Sequence, residues 1–502
     1  MHTLIYIAAV TLLEFTICIP FIWKRIRKLM AAVVIMGITT STGLLIGYDF
    51  NGWSVLFAFV SIYRVVNLLR LVEGRTPADY LRKVALKTSL ILIGAQLLIG
   101  ASVVIEHQHI YAGHFVLTII AALECLFSFF LILITHKHLN EIQPPEKINA
   151  IPRHEVPTLS VLIPARNETD ALKNCLNSII SSTYEKLEII VLDDCSQDKH
   201  TPEIIKEFAH AGVRFIAGTQ PPKHWLAKNF AYEQLANEAN GEILLFCGAD
   251  TQFEPHTLQT IVETFVGGSH DMISFLPKNR VPLKVGITSY LVQPLRYAWE
   301  ITLPRNWLKR PPVLSTCWMI SSKQLHKNGL FKSIKNSSSV ESYFAKIAAS
   351  SKVGYRFFQS SSSIGLTSAK SISEQRATAL RTRYPQTHRR PEIVLGLSLI
   401  EFSVFLLPYV LLVLALAQGL YLIVFLCILA ILLQLYLYQK LLKVTYSRTM
   451  YQKIWMAPVS ILFDIALINY SMWQYEFREV YWKGRNVCIP VMQYGGQEHQ
   501  SS

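Results

Sequence analysis

Asp193 and Asp194 stand side by side at the end of the apolar run Leu187–Leu192, and Asp250 lies just beyond another strand-like run, Glu242–Cys247. Carboxylates so placed can accept hydrogen bonds from a ligand's N–H and O–H groups, or hold a hard cation through oxygen. Asp after a strand is also a common turn cap. Pro164, Arg166, Asn167 and Glu168 follow a third run, Thr158–Ile163. They could line a pocket, or only turn the chain from strand to helix, with the acid complementing the helix dipole. Lys228 opens a helical stretch beside His224 and Trp225. A cation next to free helix N–H groups suits a diphosphate; the plainer alternative is a solvated surface lysine. Downstream, Glu341 opens another helical stretch, as a candidate general base or simply a first-turn acid. Arg383 belongs to a basic segment, Arg381–Arg390, ahead of an apolar run that starts at Val394.

The elements that must position these groups fall within residues 157–280. The run Thr158–Ile163 is β-rich and is ended by Pro164. Leu172, Cys175, Leu176, Ile179 and Ile180 then recur at helical spacing. Leu187–Leu192 is a second strand. Thr201-Pro202 reads as an N-cap followed by proline at the first helical position. Val213–Ala217 is a third strand, Leu226–Ala239 a helix stopped by Gly241, and Pro255 opens another helix. Strands without apolar/polar alternation, separated by helix-length segments, imply βαβ units and a buried parallel sheet. Ligands of such sheets bind beyond the carboxyl ends of the strands, where Asp193, Asp194 and Asp250 fall. No GxGxxG and no Walker A sequence occurs, so neither a dinucleotide nor a P-loop triphosphate site is supported. The eight cysteines form no CxxC and no Cys/His zinc spacing, and read as free thiols.

Composition sets the frame around this insert. Of 502 residues, 51% are hydrophobic and only 16% charged, against about 25% charge in a soluble domain. A soluble enzyme and a disordered chain are both disfavoured. Lys+Arg 48 against Asp+Glu 34 leaves +14, and no basic run is interleaved with aromatics, so nucleic-acid binding is not expected. Apolar runs of spanning length occur near Leu4–Trp23, Leu29–Tyr48, Thr88–Ile105, Phe115–Thr135, Val394–Leu416, Leu420–Leu437 and Ile454–Trp473. Trp53–Val72 is weaker, interrupted by Arg64, Asn67 and Arg70. The first run reads as an anchor, because its basic cluster Lys24–Lys28 follows it. Basic loops near Lys24–Lys28, Arg75–Lys87 and Lys440–Lys453 belong inside, which delivers residues ~137–390 to the cytosol. The tail, with Arg478, Lys483 and Arg485, should also be inside, so one C-terminal run must be re-entrant or interfacial; Ile454–Trp473 is the candidate. Glu14, Glu124, Glu401 and Asp464 lie within these runs. They could form a polar seam for a lipid head group, or protonated acids bonded to Ser, Thr or Tyr of neighbouring helices. Val285–Lys309, rich in aromatics with Lys and Arg, suits an interfacial segment or ordinary packing.

Four segments taken together carry a resemblance: Val161-Leu-Ile-Pro-Ala-Arg-Asn-Glu168, Ile190-Val-Leu-Asp-Asp-Cys-Ser-Gln-Asp198, Trp225-Leu-Ala-Lys228 and Leu244-Leu-Phe-Cys-Gly-Ala-Asp250. Their order and spacing resemble the family 2 glycosyltransferases. With Pro221-Pro222 and the tail Trp482-Lys-Gly-Arg485, the chain looks most like the membrane-bound branch of hopanoid-associated and carotenoid glycosyltransferases, over roughly residues 157–490. The resemblance implies an α/β GT-A domain, Rossmann-like with a mostly parallel sheet, inserted on the cytosolic side between two sets of transmembrane helices. The expected boundaries are a transmembrane region at 1–136 with four to five helices and a linker at 137–156. The GT-A domain follows at 157–392, with interfacial helices near 285–310. A C-terminal transmembrane region of two to three helices occupies 393–475, and a cytosolic tail 476–502.

The same resemblance implies the roles. Asp193 and Asp194 would grip the base and ribose of a nucleotide-sugar donor, and Pro164, Arg166 and Glu168 would form a wall of that pocket. Lys228 would hold the diphosphate, and Asp250 a divalent metal, Mg²⁺ or Mn²⁺. Glu341 would serve as base toward a lipid hydroxyl, and Arg383 would clamp the leaving diphosphate. The anomeric centre would invert, and the protein would sit in the inner or plasma membrane. The chain departs from the family pattern at three places. The Asp-x-Asp triplet is Gly248-Ala249-Asp250, the Glu-Asp pair is Glu341-Ser342, and Gln-x-x-Arg-Trp is replaced by Leu380-Arg-Thr-Arg-Tyr384. These losses motivate a rival, a non-catalytic membrane protein that keeps a donor-binding fold. Restoring Gly248→Asp and Ser342→Asp should raise turnover if an active ancestor lies close beneath.

Overall fold

Five helices precede the α/β domain in the computed structural model: α1 (His2–Ile17), α2 (Lys24–Tyr48), α3 (Gly52–Glu73), α4 (Ala78–Gln108) and α5 (Gly113–Glu141). The structure describes residues 2–18, 24–73, 78–108, 113–145, 150–197, 199–280, 291–302, 311–337, 339–350, 354–446 and 451–488. The polar residues that interrupt α3 are the ones that hold these helices together. Arg64 pairs with Glu14 of α1, Asn67 donates to the Ala85 carbonyl of α4 at 3.0 Å, and Arg70 reaches Glu476, far along the chain, at 2.9 Å. A charge buried in an apolar bundle is costly unless paired, so α3 buries its polar stripe and exposes its apolar side. Glu14 therefore has an arginine partner, where a polar seam for a lipid head group or a protonated acid bonded to Ser, Thr or Tyr were the two expectations.

The α/β domain begins with β1 (Leu159–Ala165) and continues through α6 (Asp170–Ile180), β2 (Leu187–Asp193), α7 (His200–Glu207), β3 (Val213–Ala217), α8 (Ala227–Glu238) and β4 (Ile243–Cys247). After the short β5 (Thr251–Phe253) come α9 (Thr257–Gly267), β6 (Met272–Leu276), β7 (Lys278–Asn279) and α10 (Gln293–Thr302). The domain closes with β8 (Cys317–Ser321), α11 (Ser322–Lys327), α12 (Val340–Ser350), β9 (Tyr355–Gln359) and β10 (Leu366–Ser368). Seven strands form one sheet in the order β3-β2-β1-β4-β8-β6-β9. Only β8 runs antiparallel to its neighbours. Successive β1 residues feed opposite faces: Leu159, Val161 and Ile163 pack under α6 and α9, and Leu162 under α8 and α12. Burying one such side chain contributes roughly 1.5–3 kcal/mol, which is why these strands carry no polar alternation.

Three details differ from expectation. β1 passes through Pro164 to Ala165; its pairing with β4 has already stopped at Leu162, so proline sits where one flank of the strand is open. α7 starts at His200, and the Thr201 hydroxyl accepts from the Glu168 N–H at 2.7 Å instead of capping its own helix. At Gly241 an added Cβ would lie 2.6 Å from the Ser160 nitrogen, so close approach to β1, not left-handed backbone, demands glycine there.

The chain then forms α13 (Ile372–Gln386), α14 (Pro391–Glu401), α15 (Leu407–Ala417), α16 (Tyr421–Thr445), α17 (Ala457–Phe477) and a small hairpin, β11 (Tyr481–Trp482) with β12 (Arg485–Asn486). A single π-turn, Phe402–Leu406, joins α14 to α15. Pro408 cannot donate to the carbonyl four residues back, and the Gln434 amide of α16 supplies the missing bond to Val404 at 2.5 Å. Seven helical segments, from Arg25–Tyr48 to Lys453–Phe477, are long and apolar enough to cross a membrane, which makes this a membrane-associated protein. α1, with 16 residues, is not among them.

α17 behaves differently from the others. Met456 and Ala457 at its start pack with Leu291, Val292 and Ala379. At its other end the Tyr475 hydroxyl donates to the Arg381 carbonyl at 2.7 Å. Both ends thus pack against α13, while Asn469 and Glu476 of the same helix meet Tyr63 and Arg70 of α3. Of the expected interfacial segment Val285–Lys309, α10 is present; Tyr290, Trp307 and Lys309 lie outside the described residues.

Candidate active site

The loops after β1 and β2 are built around their own charges. The Asp193 carboxylate accepts from the Ser196 N–H at 3.2 Å and from its hydroxyl at 2.5 Å, closing the turn that follows β2. Cys195 in that turn has left-handed backbone, φ 51°, a conformation costing about 1–2 kcal/mol in a side-chain-bearing residue. Arg166 holds it in place: its guanidinium donates to the carbonyls of Asp194, Cys195 and Lys483. Pro164 is the penultimate residue of β1, below this loop. Asp193 and Arg166 thus act first on the chain itself.

The hairpin β11–β12 seats on these loops. Arg485 makes two bonds to the Asp194 carboxylate, 2.7 and 2.6 Å, and Lys483 pairs with Glu168. Burial pushes the Asp194 carboxyl up, against the pull of Arg485. Burial likewise raises Glu168, opposed by Lys483. The residues expected to face a nucleotide are thereby tied to a tail some 290 positions away, and only the Trp482-Lys-Gly-Arg485 motif hinted at it.

Beside the hairpin lies a cavity of about 790 Å³ between the α/β domain, α10 and α13. Lys228, at the start of α8, lines it with Arg296 of α10 and Arg381 of α13. None of the three has an ion-pair partner among the described residues. Lys228 lies 5.1 Å from the Tyr232 ring centroid and Arg381 4.8 Å from that of Trp482. Burial lowers the Lys228 ammonium, with Glu341 opposing and Arg381 and Arg296 adding to the fall. Arg381 is pushed down to about 10, first by burial, with Arg296 contributing. The cations therefore crowd one another across a common space.

Glu341 faces the same cavity from the first turn of α12. The Ser339 hydroxyl donates to its Oε1 at 2.9 Å, and Oε2 is buried with no hydrogen-bond partner among the described residues. An unsatisfied carboxylate oxygen costs on the order of 1–3 kcal/mol or more, so this one is held ready for a donor. Arg383 also lines the cavity, yet its guanidinium grips the Asp464 carboxylate of α17. Arg381, two residues earlier, has no ion-pair partner among the described residues.

Asp250 is placed apart from this wall. Its carboxylate accepts from the Ser368 hydroxyl at 2.7 Å and lies 3.6 Å from the Lys370 ammonium. Burial would raise it, but Lys370 and Ser368 outweigh that and hold it below the usual carboxylate value. No group of three or more His, Cys, Asp and Glu that could hold a metal occurs among the described residues. One carboxylate already paired with an ammonium is a poor donor set for Mg²⁺ or Mn²⁺, which bind through one or two carboxylates plus phosphate oxygens. Arg296 and Lys370 escaped the sequence analysis. Lys370 directly precedes a capping box, Ser371 with Glu374, that fixes the start of α13; that Ser-x-x-Glu signal was available.

Residues 160–319 match the family model "Glycosyl transferase family 2". Glycosyltransferase AglE of Haloferax volcanii is 32% identical over 122 residues, covering 24% of this chain and 38% of that protein. The 4,4'-diaponeurosporenoate glycosyltransferase of Staphylococcus haemolyticus is 34% identical over 109 residues, 22% of this chain and 28% of that one. The chain thus spans well under half the length of these curated relatives. Among solved structures, mannosyltransferase PcManGT from Pyrobaculum calidifontis, in complex with GDP-Man and Mn²⁺, is 19% identical with a TM-score of 0.43, over 69% of this chain and 99% of that one. Residues 160–319, which form a GT-A-like α/β domain set between apolar helices, are thus similar to the family 2 glycosyltransferases.

Proposed function

We propose that the protein transfers a sugar from a nucleotide-diphosphate donor to a hydroxyl of a membrane lipid, with inversion at the anomeric carbon. The observation that carries this reading is one cavity lined by cations that have no ion-pair partner among the described residues and by Glu341, whose Oε2 has no hydrogen-bond partner among them. Lys228, Arg296 and Arg381 neutralise the leaving nucleoside diphosphate. Glu341 takes the acceptor hydroxyl proton as the acceptor oxygen bonds to the anomeric carbon and the bond to the diphosphate oxygen breaks. Asp194 and Glu168, positioned by Arg166 and by the hairpin, face the nucleoside. The cavity is bounded by α10 and α13, and α17 runs beside them, so an acceptor held in a bilayer would reach Glu341 from that side. On this reading α17 lies in the interface, α/β domain and tail share the cytosolic face, and the membrane is the inner or plasma membrane.

The test is transfer from radiolabelled UDP- and GDP-sugars to lipid extracts by the purified protein in bilayers, with Glu341→Gln as control. Label entering the lipid phase with the wild type but not the variant supports the reading. Donor binding without transfer to any lipid would favour the non-catalytic alternative.

A further inference from the structure

The donor set around Asp250 disagrees with the metal that the sequence motif implied, and the disagreement has a specific shape. Gly248 withholds the first carboxylate, and its Cβ position, if filled, would lie 2.6 Å from Asp250 Oδ1. The Asp250 carboxylate is therefore folded back over residue 248, into the space the missing side chain would occupy. Its charge is met there by Lys370, whose side chain is 18% exposed, as is that of Asp250. A metal at Asp250 would have to displace an ammonium ion that is already in place.

The cavity holds what a metal would otherwise supply. Lys228, Arg296 and Arg381 bring three positive charges to its lining, and none is paired with a carboxylate among the described residues. Each of these cations is drawn from a different element: α8, α10 and α13. Like charges converging from three elements into a half-buried space are unfavourable without an anion to share.

Resting on the donor reading above, we infer that the donor's diphosphate is held by Lys228, Arg296 and Arg381 in place of a divalent metal, with Lys370 occupying the Asp250 carboxylate that a metal would need. The ligand class is a nucleoside diphosphate with no bound cation. Arg381 presents a planar fork to two phosphate oxygens, and Lys228 a point charge beside the free N–H groups at the start of α8. Gly248→Asp, instead of restoring a metal site, forces Asp250 to move and disturbs Lys370.

The experiment is calorimetric titration of the full-length protein in bilayer discs with UDP and GDP, in EDTA and then in Mn²⁺ or Mg²⁺. The inference expects one of the two nucleotides to bind in EDTA, with affinity changed less than about threefold by metal, well under the tenfold that 1.4 kcal/mol produces. Arg381→Gln should weaken the nucleoside diphosphate by about tenfold, the scale of one charge-assisted hydrogen bond, and the matching monophosphate much less. Binding that appears only with metal, and is lost in Asp250→Asn but kept in Arg381→Gln, would overturn the inference while leaving the donor reading intact. No binding of either nucleotide under any condition would overturn the donor reading itself. The wild-type metal comparison needs no variant, so misfolding of a mutant does not decide the outcome.

Discussion

Two ends of the same site treat charge in opposite ways. At the nucleotide-loop end every named charge has a protein partner: Asp194 with Arg485, Glu168 with Lys483, Asp193 with Ser196. At the cavity end Lys228, Arg296 and Arg381 have no carboxylate partner among the described residues, and Glu341 keeps a buried oxygen free. Arg381 and Arg383 condense the contrast into two positions of one helix. Arg383 grips Asp464 and fixes α17 against α13; Arg381, two residues earlier, lines the cavity with no ion-pair partner among the described residues. Paired charges hold the chain in shape, and unpaired ones crowded together mark where a ligand of opposite charge completes the structure.

Breaking the free end should destroy chemistry and leave the fold intact. Glu341→Gln is expected to lower transfer by about 10²–10⁴-fold, the range for a lost general base. Donor affinity by calorimetry and the thermal midpoint should stay near wild type. Parallel loss of binding would place Glu341 in donor contact instead.

Breaking the paired end should do the reverse. Asp464→Asn leaves the buried Arg383 without its carboxylate, and removing one partner of such a pair costs roughly 3–5 kcal/mol. Denaturant or thermal unfolding in detergent should show it, with the nucleotide affinity of the surviving folded fraction unchanged. A stable variant with weakened binding would move Arg383 to the cavity side of the comparison.

The hairpin joins the two ends, so its loss should have an intermediate effect. Arg485→Ala is expected to weaken nucleotide binding by about tenfold, a lost bidentate ion pair being worth more than a neutral hydrogen bond. It should also speed proteolysis of the tail after Phe477. Tighter binding in the variant would show that Arg485 shields Asp194 from the nucleotide instead of orienting it.

The smallest effect expected is a pH dependence. Lys228 is held below the ordinary lysine value of about 10.4. The protonated form binds an anion, so affinity is full at lower pH and falls as pH rises through the lowered value. Nucleotide affinity of the wild type should therefore begin to fall at a lower pH than an ordinary lysine would give, and Lys228→Arg, which keeps its charge, should flatten that fall. An identical profile in both would remove Lys228 from the phosphate contact.

The strands were legible in the amino-acid sequence because a parallel sheet covered on both faces needs uninterrupted apolar runs, and Val213–Ala217 matches its strand residue for residue. The acids at strand ends were legible for the same reason: polar groups gather where the apolar run stops. The apolar helices followed from length and hydropathy. Three-dimensional packing alone decided the rest. Thr201 looked like a cap because capping is a local rule, yet its hydroxyl is taken by Glu168, 33 positions away. Gly248 and Ser342 were legible as departures because the motif is written along the chain, whereas Arg296 and Arg381 converge on the cavity from elements that no motif connects. Periodicity and propensity act over a few residues and so specify helices, strands and their ends. Which charges meet, and which are left unpaired, depends on contacts between segments hundreds of residues apart, and that pairing separates scaffold from site in this protein.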